Sequence, residues 1–140
     1  MSHLGHSIFV IEDDPMMRVA LNSLLDARGY APRFAPTAEL ALLDAHCETA
    51  ECLLVDVVLP GMSGLEFVEA LAERAPGVAR RVIFMSAHDS LELQAAAQRL
   101  GERGFLRKAI PGQVLADLIA QEIGAPAPDR PAANVMKAHG

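Results

Sequence analysis

Apolar residues along this chain follow two alternating patterns. Short, nearly unbroken runs are each followed by a longer stretch in which apolar positions recur at helical spacing. The runs Ser7–Ile11, Ala31–Ala35, Cys52–Asp56, Arg81–Ser86 and Gly104–Lys108 predict five strands. Cys52-Leu53-Leu54-Val55 shows no polar alternation, which predicts a strand buried on both faces. Pro32 lies in the second run, the weakest by pattern, and suits an edge position.

Five helices are predicted between and after these runs. The first extends from Pro15 to Arg28, with Asp14 as its N-cap and Met17, Leu21, Leu24 and Leu25 as its apolar stripe. Gly29 ends it. The second opens at Pro36-Thr37-Ala38-Glu39 and runs to His46, with Leu40, Leu43 and Leu42 inward. The third runs from Gly64 to Ala75 on Leu65, Phe67, Val68 and Leu71, and Pro76-Gly77 breaks it. The fourth covers Ser90 to Leu100 and the fifth Gln113 to Ile123. Strict alternation with short links predicts one parallel sheet with helices on both faces. With the weak second and fifth strands at the edges, the expected fold is a doubly wound α/β sheet, order 2-1-3-4-5. One domain spans 7–123, after an N-terminal extension, 1–6. A Pro/Ala-rich tract, 124–140, reads as a flexible tail.

Composition narrows the function. The chain has 140 residues, 51% apolar and 21% charged, and a net charge of −6. That suits one soluble globular domain and argues against direct nucleic-acid binding, which needs a Lys/Arg surface. No apolar run approaches the roughly 18 residues of a membrane span, and residues 1–6 lack the features of a signal peptide. Cys47 and Cys52, without a secretion signal, are expected to be reduced cytosolic thiols, and with His46 they fit no zinc spacing.

The chemistry gathers where strands end. Asp56 closes the third run, and Val57-Val58-Leu59-Pro60-Gly61-Met62-Ser63-Gly64 follows as a loop. It is either a group presented for chemistry or the cap of the next helix. Glu12, Asp13 and Asp14 follow the first strand, Ser86 ends the fourth and Lys108 ends the fifth. In the expected strand order these groups converge on one crevice. Acids so placed repel one another unless a cation offsets them, and Mg²⁺ is the hard, oxygen-seeking cation that fits. Asp14 is spoken for as a cap, but Glu12 and Asp13 are harder to explain that way. Lys108 is one of only two lysines against ten arginines. It is either a compact charge for Asp56 or a phosphoryl oxygen, or a solvated loop residue.

These pieces together resemble the receiver domain of bacterial two-component response regulators. The matching stretches are Val10-Ile11-Glu12-Asp13-Asp14-Pro15, Leu54-Val55-Asp56 with Leu59-Pro60-Gly61-Met62-Ser63-Gly64, Met85-Ser86-Ala87, and Arg107-Lys108. The expected sheet order, the flavodoxin-like one, is also that family's and so is not independent of the resemblance. The resemblance implies that Asp56 is the phosphoacceptor, loaded by a histidine kinase or phosphotransfer protein in the cytoplasm. It implies that Asp13 binds Mg²⁺ directly and Glu12 through water, and that Asp56 and the backbone carbonyl of Val58 are further ligands. Ser86 would hydrogen-bond a phosphoryl oxygen, and Lys108 would bridge to the phosphoryl group or to Asp56. Ser86 and Phe105 would form the conformational switch, and Val58 and His88 would tune signal lifetime. A homodimer or output contact would use the surface of the fourth helix, fifth strand and fifth helix. Beyond phosphotransfer and autodephosphorylation, no enzyme activity is expected. The chain departs from the family in having Lys108-Ala109 where Lys-Pro is usual, which bears on the reach of Lys108. Alternative readings are the receiver part of a longer DNA-binding transcriptional regulator, and a degenerate receiver that only binds partners. A magnesium-dependent phosphatase would want Asp-x-Asp after the first strand, and Glu12-Asp13-Asp14 lacks that spacing.

Overall fold

The computed structural model describes residues 7–86, the backbone of 104–107, and residues 95, 117 and 119. The expected helices over 90–100 and 113–123, apart from helical positions at Ala95, Asp117 and Ile119, lie outside the described residues, as do Lys108, Ala109, His88 and both chain ends. Strands β1 (Ser7–Ile11), β2 (Ala31–Ala35), β3 (Cys52–Asp56), β4 (Val82–Ser86) and β5 (Gly104–Arg107) form one parallel sheet, ordered β2-β1-β3-β4-β5. The order is the one expected, and β2, with Pro32, is an edge.

Strand alternation explains the unbroken apolar runs. Phe9, Ile11, Leu53, Val55, Val82 and Phe84 face one core, while Ile8, Val10, Cys52, Leu54, Ile83 and Met85 face the other. Each buried large side chain contributes about 1.5–3 kcal/mol relative to exposure. Helix α1 (Pro15–Ala27) packs Leu21 and Leu25 on the second face, where Ile119 joins them. Helix α4 (Gly64–Arg74) packs Phe67, Val68 and Leu71 on the first. Asp14 caps α1 by accepting from Met16 N at 3.0 Å, and Gly29 ends it at φ 88°.

The second predicted helix is corrected. It is two pieces, α2 (Ala38–Leu42) and α3 (His46–Thr49). Its inward residues are Ala38 and Ala41, with Leu42 partly buried, while Leu40 and Leu43 are exposed. Thr37 caps α2 and fixes where its turns fall. Leu40 lies about 200° round the helix from Ala38, and Leu43 likewise from Ala41, so seating the small alanines turns both leucines out. Side chains meet carbonyls at the end of α2 and at the end of α3. Arg74 donates to Leu42 O at 2.9 Å, and Arg81 donates to Glu48 O at 3.2 Å and to Ala50 O. Arg81 itself belongs to a 3-10 turn, Val78–Arg81, so β4 begins at Val82. Cys47 and Cys52 are buried on opposite faces of the sheet, no disulfide joins them, and burial pushes the Cys47 thiol up.

The start of α4 is pressed against β3. A Cβ at Gly64 would lie 2.2 Å from the carbonyl oxygen of Asp56 and 2.9 Å from Val55 Cγ1. Backbone cannot yield as a side-chain tip can. Gly64→Ala is expected to lower stability by about 1–3 kcal/mol, read by urea unfolding. A second prediction concerns Tyr30, which is buried beside Cys52 and Leu54 in the second core. Burial pushes its phenol above the ordinary value, Arg28 opposing in part. The folded state therefore holds that proton more tightly than the unfolded chain. The resulting stability is present below about pH 10 and is lost as pH rises through the folded value. Tyr30 is the single tyrosine in a chain without tryptophan, so its ultraviolet titration should show a native midpoint above about 10 that falls on unfolding.

Candidate functional site

Parallel register brings the polar strand ends together. Ile11 pairs with Val55, so the residues that follow, Glu12 and Asp56, stand side by side at the ends of β1 and β3. Asp56 pairs with Met85, which sets Ser86 one step beyond it on β4. Ligand oxygens of Glu12, Asp13 and Asp56 all lie within 4.8 Å of one another. Glu12, Asp56 and Ser86 are buried and Asp13 is exposed. The first three expected carboxylates are thus one cluster with a solvent-facing side.

Local bonds fix the geometry of each group. Glu12 Oε2 accepts from Asp14 N at 3.1 Å. Glu12 N donates to Ala35 O at 3.1 Å and extends the β1–β2 ladder past the last strand residue. Arg18, one turn into α1, donates to the Glu12 carbonyl at 2.8 Å. Asp56 Oδ1 accepts from Val58 N at 3.0 Å, which turns the chain sharply after β3. Val57 N donates to Met85 O at 2.9 Å, and Gly64 N donates to Val57 O at 3.0 Å. Asp56 therefore does not cap α4. Ser63 does, in a capping box: Ser63 Oγ accepts from Glu66 N at 3.1 Å and Glu66 Oε1 from Ser63 N at 2.9 Å.

The structure joins Glu12, Asp13 and Asp56 in space and sets Val58 just after β3 and Ser86 at the end of the neighbouring β4. Phe105 lies on β5 opposite Phe84, but its side chain, like Lys108, falls outside the described residues. Three contributors were not singled out from the sequence. The Ser63 cap was legible, since Ser followed three residues later by Glu is the capping-box signature. Arg18 and Glu39 were not, because each acts on backbone far along the chain or in another element. Glu39 Oε2 accepts from Met62 N at 2.9 Å, and that bond holds its carboxyl below the ordinary range.

The donor set suits a hard cation. All three groups offer carboxylate oxygen, two are buried, and their mutual repulsion is offset when a divalent ion sits among them. No cysteine or histidine joins the cluster among the described residues. No helix among the described residues is long and apolar enough to cross a membrane.

Comparison with known proteins gives the family. The response regulator receiver domain family matches residues 8–120. Transcriptional regulatory protein FixJ of Bradyrhizobium diazoefficiens is 34% identical over 125 residues, covering 88% of this chain and 58% of its own. The uncharacterized 14.6 kDa protein in the sodA1 3′ region of Leptolyngbya boryana is 32% identical over 122 residues, covering 87% of this chain and 93% of its own. A CheY-like receiver domain protein from Methanospirillum hungatei superposes with a TM-score of 0.74 at 25% identity, covering 84% of this chain and 93% of its own. The chain spans little more than half the length of several regulators it matches. Matched along most of its length and carrying the sheet order expected from its pattern, the chain belongs to the response regulator receiver domain family of two-component signalling.

Proposed function

We propose that Asp56 is the phosphoacceptor of this receiver and that Glu12, Asp13, Asp56 and the Val58 carbonyl hold Mg²⁺ beside it. The observation that carries this reading is the cluster of Glu12, Asp13 and Asp56 at adjoining strand ends. A carboxylate oxygen of Asp56 attacks the phosphorus of a histidine kinase's phosphohistidine. The P–N bond breaks, the imidazole leaves, and an aspartyl phosphate forms. In-line transfer of this kind needs a placed nucleophile and charge compensation on the equatorial oxygens. The bond from Val58 N to Asp56 Oδ1 helps to orient the carboxylate. The bound cation would supply charge neutralisation among the acids and on the phosphoryl oxygens. Ser86 would donate its hydroxyl to one phosphoryl oxygen and Lys108 its ammonium to another. Ser86 and Phe105 would then carry the switch. The acylphosphate hydrolyses, so the signal resets; no other enzyme activity is assigned.

The unit doing this is residues 7–123, with 1–6 and 124–140 as appendages, working in the cytoplasm with its kinase or phosphotransfer partner. A dimer or output contact would use the surface near β5. A second reading makes the chain the receiver part of a longer DNA-binding transcriptional regulator. It is favoured by the share of FixJ, a transcriptional regulatory protein, that the match covers. The match across nearly all of the Leptolyngbya boryana protein favours a receiver acting alone.

Intact mass after incubation with Mg²⁺ and acetyl phosphate is expected to rise by one phosphoryl group. The gain should vanish in Asp56→Asn and when Mg²⁺ is chelated. A gain retained by Asp56→Asn would refute the assignment. Asp13→Asn is expected to weaken Mg²⁺ binding in calorimetry. It should also raise metal-free stability by about 1 kcal/mol in urea, because one of three clustered like charges is removed.

A further inference from the structure

The loop between β3 and α4 carries the Val58 carbonyl, and its middle makes few backbone hydrogen bonds, though Leu59 is buried in the first core and Met62 packs against it. Pro60 has no amide hydrogen, and Gly61 sits in the left-handed region at φ 75°. The ends are fixed by Val57, Val58 and the Ser63 cap. Among the described residues, the bond that ties positions 59–62 to another element is Met62 N to Glu39 Oε2, at 2.9 Å. Glu39 stands in the first turn of α2, which Thr37 caps and Ala38 and Ala41 anchor in the core. Its carboxylate lies directly over Gly61. A Cβ there would meet Glu39 Oε2 at 2.6 Å. The absence of a side chain at Gly61 is thus matched to the presence of an acid on a different helix.

We infer that Glu39 is a positioning residue for the magnesium site: its clamp on Met62 sets the loop path that aims the Val58 carbonyl. A charge-assisted bond from a carboxylate to a backbone amide is stronger than a neutral one. An anchored helix supplies it, so the loop path is fixed before the ion arrives. Glu39 is not one of the clustered acids Glu12, Asp13 and Asp56. It acts through the backbone of 58–62, as outer groups do when they orient metal ligands. The inference rests on the metal reading proposed above.

The test uses the full chain with Glu39→Ala and Glu39→Gln. Mg²⁺ binding is measured by calorimetry with magnesium chloride, and the Met62 amide is followed by ¹H–¹⁵N NMR. Glu39→Ala is expected to weaken Mg²⁺ binding on the order of tenfold and to shift the Met62 amide. Glu39→Gln keeps an oxygen acceptor and should recover most of the affinity. Glu39 is exposed, so both variants should fold, and thermal melts report any general loss. A lowered melting temperature with wild-type Mg²⁺ affinity in Glu39→Ala would mean a structural brace only and would overturn the inference. An unmoved Met62 amide would overturn it as well. If the unmodified chain takes up no Mg²⁺, the metal reading itself fails, which the wild-type titration shows separately.

Discussion

Repulsion among carboxylates is the constraint from which this structure is best understood. Parallel pairing of β1 with β3 puts Glu12 and Asp13 beside Asp56, two of the three acids being buried. Electrostatics alone would push such groups apart, and the fold holds them together through elements that have little choice. β3 is apolar on both faces and cannot leave the centre of the sheet. β1 is fixed between β2 and β3 and continues its ladder through Glu12 N. The burial of apolar strands, far larger in sum than any one charge pair, maintains an arrangement that electrostatics disfavours. The hydrophobic core thus holds together a set of acids whose chemistry suits a hard cation.

Most of this was legible in the sequence, for reasons that vary by element. Runs such as Leu53-Leu54-Val55 admit few alternatives, because a segment apolar at every position must be covered on both sides. Once five such runs alternate with helical patterns, the sheet order and the convergence of strand ends follow. Asp14 was legible as a cap because its bond is local. The second helix was misread because leucine outweighs alanine in any pattern of hydrophobicity. Yet close packing between α2 and its neighbours selects Ala38 and Ala41 by size. Arg74 meets the carbonyl at the end of α2 and Arg81 those at the end of α3, each from more than thirty positions away, and no local window contains them.

Glycine shows the same limit from the other side. Gly64 looked like the first residue of a helix, and it is. What the sequence hid is that its missing Cβ lets α4 rest on the backbone of Asp56 itself. The start of α4 is therefore packed directly on the end of β3, beside the turn through Val57 and Val58, with loop residues 59–62 bridging between them. The strand end that carries Asp56 is thereby braced by the start of α4 as well as by its own turn.

The edge strand β2 has a consequence of another kind. An open sheet ends in rows of unsatisfied donors and acceptors, a template on which further chains can add as strands. Pro32 removes one amide from β2, and Arg33 beside it is charged and half outside the fold. A second molecule approaching this edge meets a gap in the ladder and a cost of desolvating the guanidinium. The feature that weakens β2 as a strand therefore also guards the molecule against stacking into aggregates when its concentration in the cell is high.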